Sequence, residues 1–245
     1  MDSPARSVWI GYDPREATAF AVARYSIRRF DRYTPIRGVV LDDLRARGLY
    51  TRPTEQRINS EGRLQLWDVI SGAWMSTEHS NSRFLVPHLA RDGWAAFIDG
   101  DVLVSEDIGR LFRLCDPSKA VMCVQHQHEP VESVKMDGQV QTRYARKNWS
   151  SVMVFNCGHP ANKALTVPLV NSLPGRDLHR FCWLDDAEIG ALPARWNHLV
   201  GSSALTDVRP SLIHFTAGLP DMPGYEKQAF AEDWRALIPY AVGAL

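Results

Sequence analysis

Three side chains in this sequence have the types and placement to do chemistry: two aspartates near the middle and a histidine near the end. In "AAFIDGDVLV", residues 95–104, Asp99 and Asp101 interrupt a run that would gain as a buried strand from Ala or Val at those positions. On a strand, residues i and i+2 face the same side, so the two carboxylates can converge on one cation. Gly100 between them leaves room for a ligand to approach the backbone. Paired hard oxygens suit Mn²⁺ or Mg²⁺, and such ions commonly also take phosphate oxygens. "PSLIHFTAGLP" then sets His214 at the end of an apolar run, and imidazole is a good third ligand beside two carboxylates. Solvated acids at a strand-end turn and a satisfied core histidine are the plain structural alternatives.

The elements that must position these groups are legible from pattern. "SVWIGYD" reads as a buried strand ending at Gly11, and "EATAFAVARYSIRRF" has helical apolar spacing at Phe20, Ala23, Ile27 and Phe30. "PIRGVVLDDL" reads as a second strand, and the span from Leu49 to Trp67 as polar, irregular chain. "NSRFLVPHLARDG" starts a helix, and "WAAFIDGDVLV" is a strand that the aspartates close. A short helix "IGRLFRLCD", strands "AVMCVQHQH" and "WSSVMVFN", helical "ANKALTVPLVNSL" and "LDDAEIGAL", and a last strand "PSLIHF" follow. "EPVESVKMDGQVQTRYARKN" is a polar surface excursion. Strands alternating with helices predict a single α/β domain over residues 1–245, built on a mostly parallel mixed sheet flanked by helices. In such sheets ligands sit beyond the carboxyl ends of strands, where "YDPRE" and "DGD" fall.

Bulk composition narrows the function classes. Twenty-eight basic and 28 acidic residues give zero formal net charge, so nothing overall draws the chain to nucleic acid or anionic membranes. The four cysteines show no C-x-x-C pair and read as reduced thiols of a cytoplasmic protein. Neither a signal peptide nor a membrane-spanning run is expected, and "WRALIPYAVGAL" is expected to dock on the domain.

Several stretches together resemble a known family. "VWIGYDPREATAFAVARYSI", "SRFLVPHLARDGWAAFIDGDVLV", "LPARWN" and "IHFTAGLP" are similar, in order and spacing, to metal-dependent GT-A (Rossmann-like) glycosyltransferases, nearest to glycosyltransferase family 8. The resemblance implies a nucleotide-sugar donor, a UDP-sugar, whose diphosphate is bridged to the protein by Mn²⁺ (or Mg²⁺). Asp99, Asp101 and His214 match the metal ligands. Gly11, Tyr12, Asp13 and Arg15 match the loop that holds the nucleoside, Arg83 a basic residue that reaches the donor, and Asp186 with Asp185 the acidic stretch near the anomeric carbon. Residues 1–105 would form the nucleotide-binding half and 106–245 the sugar and acceptor half. A retaining outcome is implied. Three departures stand out: "WSS" at residues 149–151 replaces N-[SA]-G, no lysine follows the glycine of "HFTAGLP", and "DDAEIG" lacks a glutamine. Lys147 or Arg146 is the expected substitute for the missing cation.

"FIDGDVLV" also resembles the opening motif of haloacid-dehalogenase-type phosphatases, with Asp99 as nucleophile, Asp101 as general acid and Lys163 and "LDDAE" downstream. That motif normally opens its domain, whereas α/β chain precedes it here. A degenerate nucleotide-sugar-binding module is the non-enzymatic alternative. Cys123, His126 and His128 could hold zinc, but no fourth ligand stands at a recognisable spacing. Trp67, Trp74, Trp183 and Trp196 read as core. The acceptor, whether a glycan, a lipid-linked glycan, a small molecule, a protein or modified DNA, is not chosen by the residues. Neutral charge makes nucleic acid the least favoured, and a homodimer is compatible with the sequence.

Overall fold

The computed structural model describes residues 5–75, 77, 79–127, 146, 148–204 and 207–243. In chain order its strands are β1 (Arg6–Gly11), β2 (Ile36–Val39), β3 (Thr54–Ile58), β4 (Leu64–Asp68), β5 (Ala73–Met75), β6 (Trp94–Ile98), β7 (Val102–Val104), β8 (Val121–Cys123), β9 (Val152–Asn156), β10 (Ile189–Ala191), β11 (His198–Leu199) and β12 (Leu212–His214). Six of them form one sheet in the order β10-β8-β9-β6-β1-β2. Only β9 runs against the others, so the sheet is mostly parallel and mixed, as expected. All five residues of β6 are buried, the continuous apolar pattern of a strand covered on both faces. Strands from both halves of the chain share this sheet.

Register positions the site. Trp9 lies opposite Phe97 and Ile10 opposite Ile98, so the carboxyl ends of β1 and β6 finish side by side, at Gly11 and Asp99. Helix α1 (Ala17–Arg28) packs Ala19, Val22, Ala23 and Ile27 inward at helical spacing. Phe30, expected on that face, lies past the helix end and is 43% exposed.

Four sequence expectations need correction. "WAAFIDGDVLV" is two strands in two sheets, because the chain bends at Asp99–Asp101 and β7 joins a second sheet in the order β11-β12-β7. The span Leu49–Trp67 is not irregular: β3, β4 and β5 form an antiparallel sheet. Most of its outer strand is exposed and so carries no apolar period, and the sheet is tied down by the buried Arg52–Asp68 ion pair. "LDDL" of the expected second strand opens the helix Leu41–Ala46. "LDDAEIGAL" contributes one short turn and then β10, which pairs with β8. The C-terminal segment docks as expected: Trp234 is fully buried and Tyr240 stacks on Tyr25 at 6.1 Å. No helix of the described residues is long and apolar enough to cross a membrane.

Candidate metal and donor site

The bend that separates β6 from β7 also gathers the acids. β12 pairs antiparallel with β7, with His214 opposite Val102, and the Phe215 amide donates to the Asp101 carbonyl at 3.0 Å. This register carries the imidazole from the end of the chain onto the aspartates. His214 Nε2 stands 3.0 Å from Asp101 Oδ1 and 3.7 Å from Asp99 Oδ2. One ligand atom from each residue falls within 4.8 Å of the others, and no other group of three His, Cys, Asp or Glu does so among the described residues.

Asp99 is the most constrained of the three. Arg83 Nη2 pairs with Oδ1 at 2.9 Å and Nη1 donates to Oδ2 at 3.4 Å. The same guanidinium donates to the Ser150 carbonyl at 2.9 Å and lies 4.7 Å from the Phe97 ring centre. His79 Nε2 reaches Oδ1 at 3.2 Å. Burial works to raise the Asp99 carboxyl, but Arg83, His79 and His214 outweigh it and hold it well below the usual carboxylate range. His214 is pulled the other way: burial disfavours its charge, yet Asp101 and Asp99 raise it. An imidazole nitrogen and two carboxylates crowded together share some cation, a proton or a metal. Two hard oxygens with one imidazole fit Mn²⁺ or Mg²⁺ in donor type.

These groups line a cavity of about 320 Å³. Glu16, Thr77, His79, Asn148, Ser151 and Thr216 to Leu219 also line it. Gly11 serves the site by having no side chain: a Cβ there would sit 2.3 Å from His79 Cδ2. A Cβ on Gly100 would come within 2.8 Å of the Gly11 carbonyl.

The structure gathers Arg83, Asp99, Gly100, Asp101 and His214 around one cavity. Tyr12, Asp13 and Arg15 stand beside it without lining it. Asp13 is buried and accepts from the Arg15 amide and Nε, both at 2.9 Å, while Tyr12 packs edge-on against Phe20. Asp185 caps the turn Asp186–Glu188, and Asp186 is 90% exposed and ion-paired with Arg146, so neither lines the cavity. Arg146 also donates to the Arg180 carbonyl, which leaves it out of the cavity as a substitute cation. Lys147 and His128 lie outside the described residues. Lys163 is exposed and does not line the cavity. Of the tryptophans, Trp196 is core, Trp67 and Trp183 are half-buried, and Trp74 is 41% exposed.

Sequence reasoning missed His79, Glu16 and Asn197. Nothing in the local pattern marks His79. Glu16 is the last residue of the "YDPRE" loop, and burial foremost, then Asp101 and Asp13, push its carboxyl up to about 7. Asn197 ends the quoted "LPARWN" and is fully buried behind His214.

Over 233 residues the chain is 43% identical to Protein CDI of Arabidopsis thaliana, covering 93% of this chain and 83% of that one. The chain belongs to the Protein CDI family. No protein-family model matches it. The CDI-family chain also resembles solved structures at low identity. The apo WbbM bifunctional glycosyltransferase matches 99% of this chain at TM-score 0.59 and 17% identity. GlyE of Streptococcus pneumoniae TIGR4, a glycosyltransferase, matches 99% at TM-score 0.60 and 12% identity. The chain spans only 51% of the former and 63% of the latter. The galactosyltransferase LgtC, solved with donor and acceptor sugar analogues, matches over 96% of this chain and 95% of its own at TM-score 0.56 and 14% identity. These likenesses show the fold of this CDI-family protein, which is GT-A.

Proposed function

We propose that the chain is a metal-dependent glycosyltransferase that moves a sugar from a nucleotide-sugar, a UDP-sugar, to a hydroxyl of an acceptor. The observation that carries this reading is the register of β12 on β7, which puts His214 on the Asp99–Asp101 bend at the strand ends of a GT-A sheet. A divalent ion held by Asp99, Asp101 and His214 would supply the positive charge that a leaving diphosphate needs.

The chain's own residues do the rest. Arg83 and His79 keep Asp99 ionised and oriented. Gly100, having no side chain, lets the bend lie against the Gly11 carbonyl. Thr216 to Leu219 wall the cavity where the resemblance has a lysine nearby. Among the described lining residues Arg83 is the sole Lys or Arg, against Glu16, Asp99 and Asp101. Asp99 and Asp101 outnumber Arg83 there, so a divalent cation would ease the approach of a diphosphate.

Residues of both halves line the cavity, Glu16 and Asp99 from the first and Ser151 and His214 from the second, in keeping with a donor bound across them. Retention of configuration belongs to this reading through the family 8 resemblance, and Asp186 can take part only by leaving Arg146. The phosphatase reading finds no lysine among the described lining residues, and its nucleophile would be an aspartate already held by an arginine.

The test is a panel of UDP- and GDP-sugars, with thermal shifts measured with and without Mn²⁺. Stabilisation by UDP only in the presence of Mn²⁺, with slow metal-dependent hydrolysis of one nucleotide-sugar, is the expected result. Nucleotide stabilisation without hydrolysis indicates a binding module. Hydrolysis of p-nitrophenyl phosphate with no response to nucleotides overturns the reading in favour of a phosphatase.

A further inference from the structure

Behind His214 runs a short chain of hydrogen bonds whose polarity can be read in one direction only. It begins at Asn148, whose left-handed backbone (φ 64°) turns its carbonyl toward Ser151 and Asn197. The Ser151 hydroxyl donates to that carbonyl at 2.7 Å, which uses its one hydrogen. Toward Asn197, 2.9 Å away, Ser151 Oγ can then only accept, so the amide NH₂ faces the serine. The same NH₂ lies 3.4 Å from the Asn148 carbonyl, which is an acceptor and nothing else. The Asn197 oxygen must therefore face His214, whose Nδ1 lies 3.0 Å from it. An acceptor at Nδ1 demands hydrogen there, so Nε2, the nitrogen 3.0 Å from Asp101, is the one that can give up its hydrogen and turn its lone pair to a metal.

We infer that Asn197 is a positioning residue: with Ser151 and the Asn148 carbonyl it fixes the neutral His214 tautomer that presents Nε2 as a metal ligand. This rests on the reading of Asp99, Asp101 and His214 as a metal site. The relay also ties the two ligand-bearing strands together, because the Ser151 carbonyl accepts from the Asp99 amide at 3.1 Å. It gives the unusual "WSS" a job: a glycine at 151 has no hydroxyl to orient the amide. Outer partners of this kind typically set metal affinity by about ten- to a hundredfold.

Two measurements on the full chain test this. In metal-free, ¹⁵N-histidine-labelled protein at pH 9 with EDTA, long-range ¹H–¹⁵N spectra should show His214 with hydrogen on Nδ1. Hydrogen on Nε2 with none on Nδ1 overturns the proposal with no mutation needed. Titration with Mn²⁺ alone, followed by the electron paramagnetic resonance of free Mn²⁺, should show Asn197→Leu weakened about ten- to a hundredfold, Ser151→Ala weakened less, and Asn197→Asp, which keeps the acceptor, rescued toward the original affinity. Melting in EDTA identifies a variant that has not folded, and the spectra of the unmutated protein then decide. Equal Mn²⁺ affinity in a folded Asn197→Leu variant refutes the relay alone. If the unmutated chain binds no Mn²⁺, or Asp101→Asn binds it equally well, the metal reading itself fails.

Discussion

Replacing Arg83 by methionine removes the main counter-charge of Asp99 while keeping an apolar stem to pack against Phe97. The Arg83 side chain is 7% exposed and that of Asp99 15%, so solvent screens the pair little. Breaking a buried pair from one side generally costs about 3–5 kcal/mol, and an orphaned carbonyl such as that of Ser150 about 1–3 kcal/mol. His79 and His214 remain beside Asp99 and take up part of that charge, so the expected loss at pH 7 is about 3 kcal/mol. In a chain of this length that lowers the melting temperature by about 6–12 °C.

The sign of the pH dependence follows from the depressed Asp99 carboxyl. A carboxyl held below its unfolded value contributes stability that is complete above about pH 4 and is lost as pH falls further. The gap between the two proteins should therefore be widest at pH 7 and narrow on acidification, since a protonated Asp99 has no need of Arg83. Urea unfolding in EDTA at pH 7 and at about pH 2–3, below the unfolded carboxyl value, followed by circular dichroism, measures both. The double variant Arg83→Met/Asp99→Asn should be less damaged than the sum of its parts. A loss under about 1 kcal/mol at pH 7, or strict additivity in the double variant, would refute the reasoning.

Three further outcomes follow from the same physics. Gly11→Ala places a methyl against the His79 ring and should cost about 1–3 kcal/mol while weakening Mn²⁺ binding; unchanged melting and affinity would show that the close approach is unimportant. Burial works to raise the Asp31 carboxyl, but hydrogen bonds from Thr34 and Tyr33 and the charge of Arg6 hold it low, so Asp31→Asn should destabilise at pH 7 by an amount that shrinks as pH drops below about 4. Constant destabilisation across that range would contradict this. Burial pushes the thiols of Cys115, Cys123 and Cys157 up to about 12, while Cys182 is exposed. At pH 8 a disulfide reagent should titrate one thiol of the folded protein rapidly and all four after unfolding; two rapid thiols in the folded state would count against the burial argument.

Legibility varied along the chain with the kind of force at work. Apolar runs bounded by polar residues announced β1, β6 and β12, because strands buried in the sheet can hold little else. The same contrast exposed Asp99, Asp101 and His214, polar groups set where such runs stop. The sheet of β3, β4 and β5 was invisible because most of its outer strand faces solvent and its anchor, Arg52 to Asp68, looks in sequence like any two surface charges. Asp186 was singled out by position, yet the structure pairs it with Arg146 outside the cavity, an association between distant segments that no local pattern encodes.

The sequence by itself determined the α/β class, the ends of the core strands and the residue types available for holding a cation, since these depend on local propensity and on which side chains water rejects. Tertiary structure alone decided that β12 pairs with β7 in the register that sets His214 opposite Val102. It also decided that His79 and Arg83 rather than solvent face Asp99, and that Asn197 stands behind His214. Those are distances between groups far apart along the chain. They are fixed only when the whole core closes, because each pairing gains its energy from neighbours that the other elements bring.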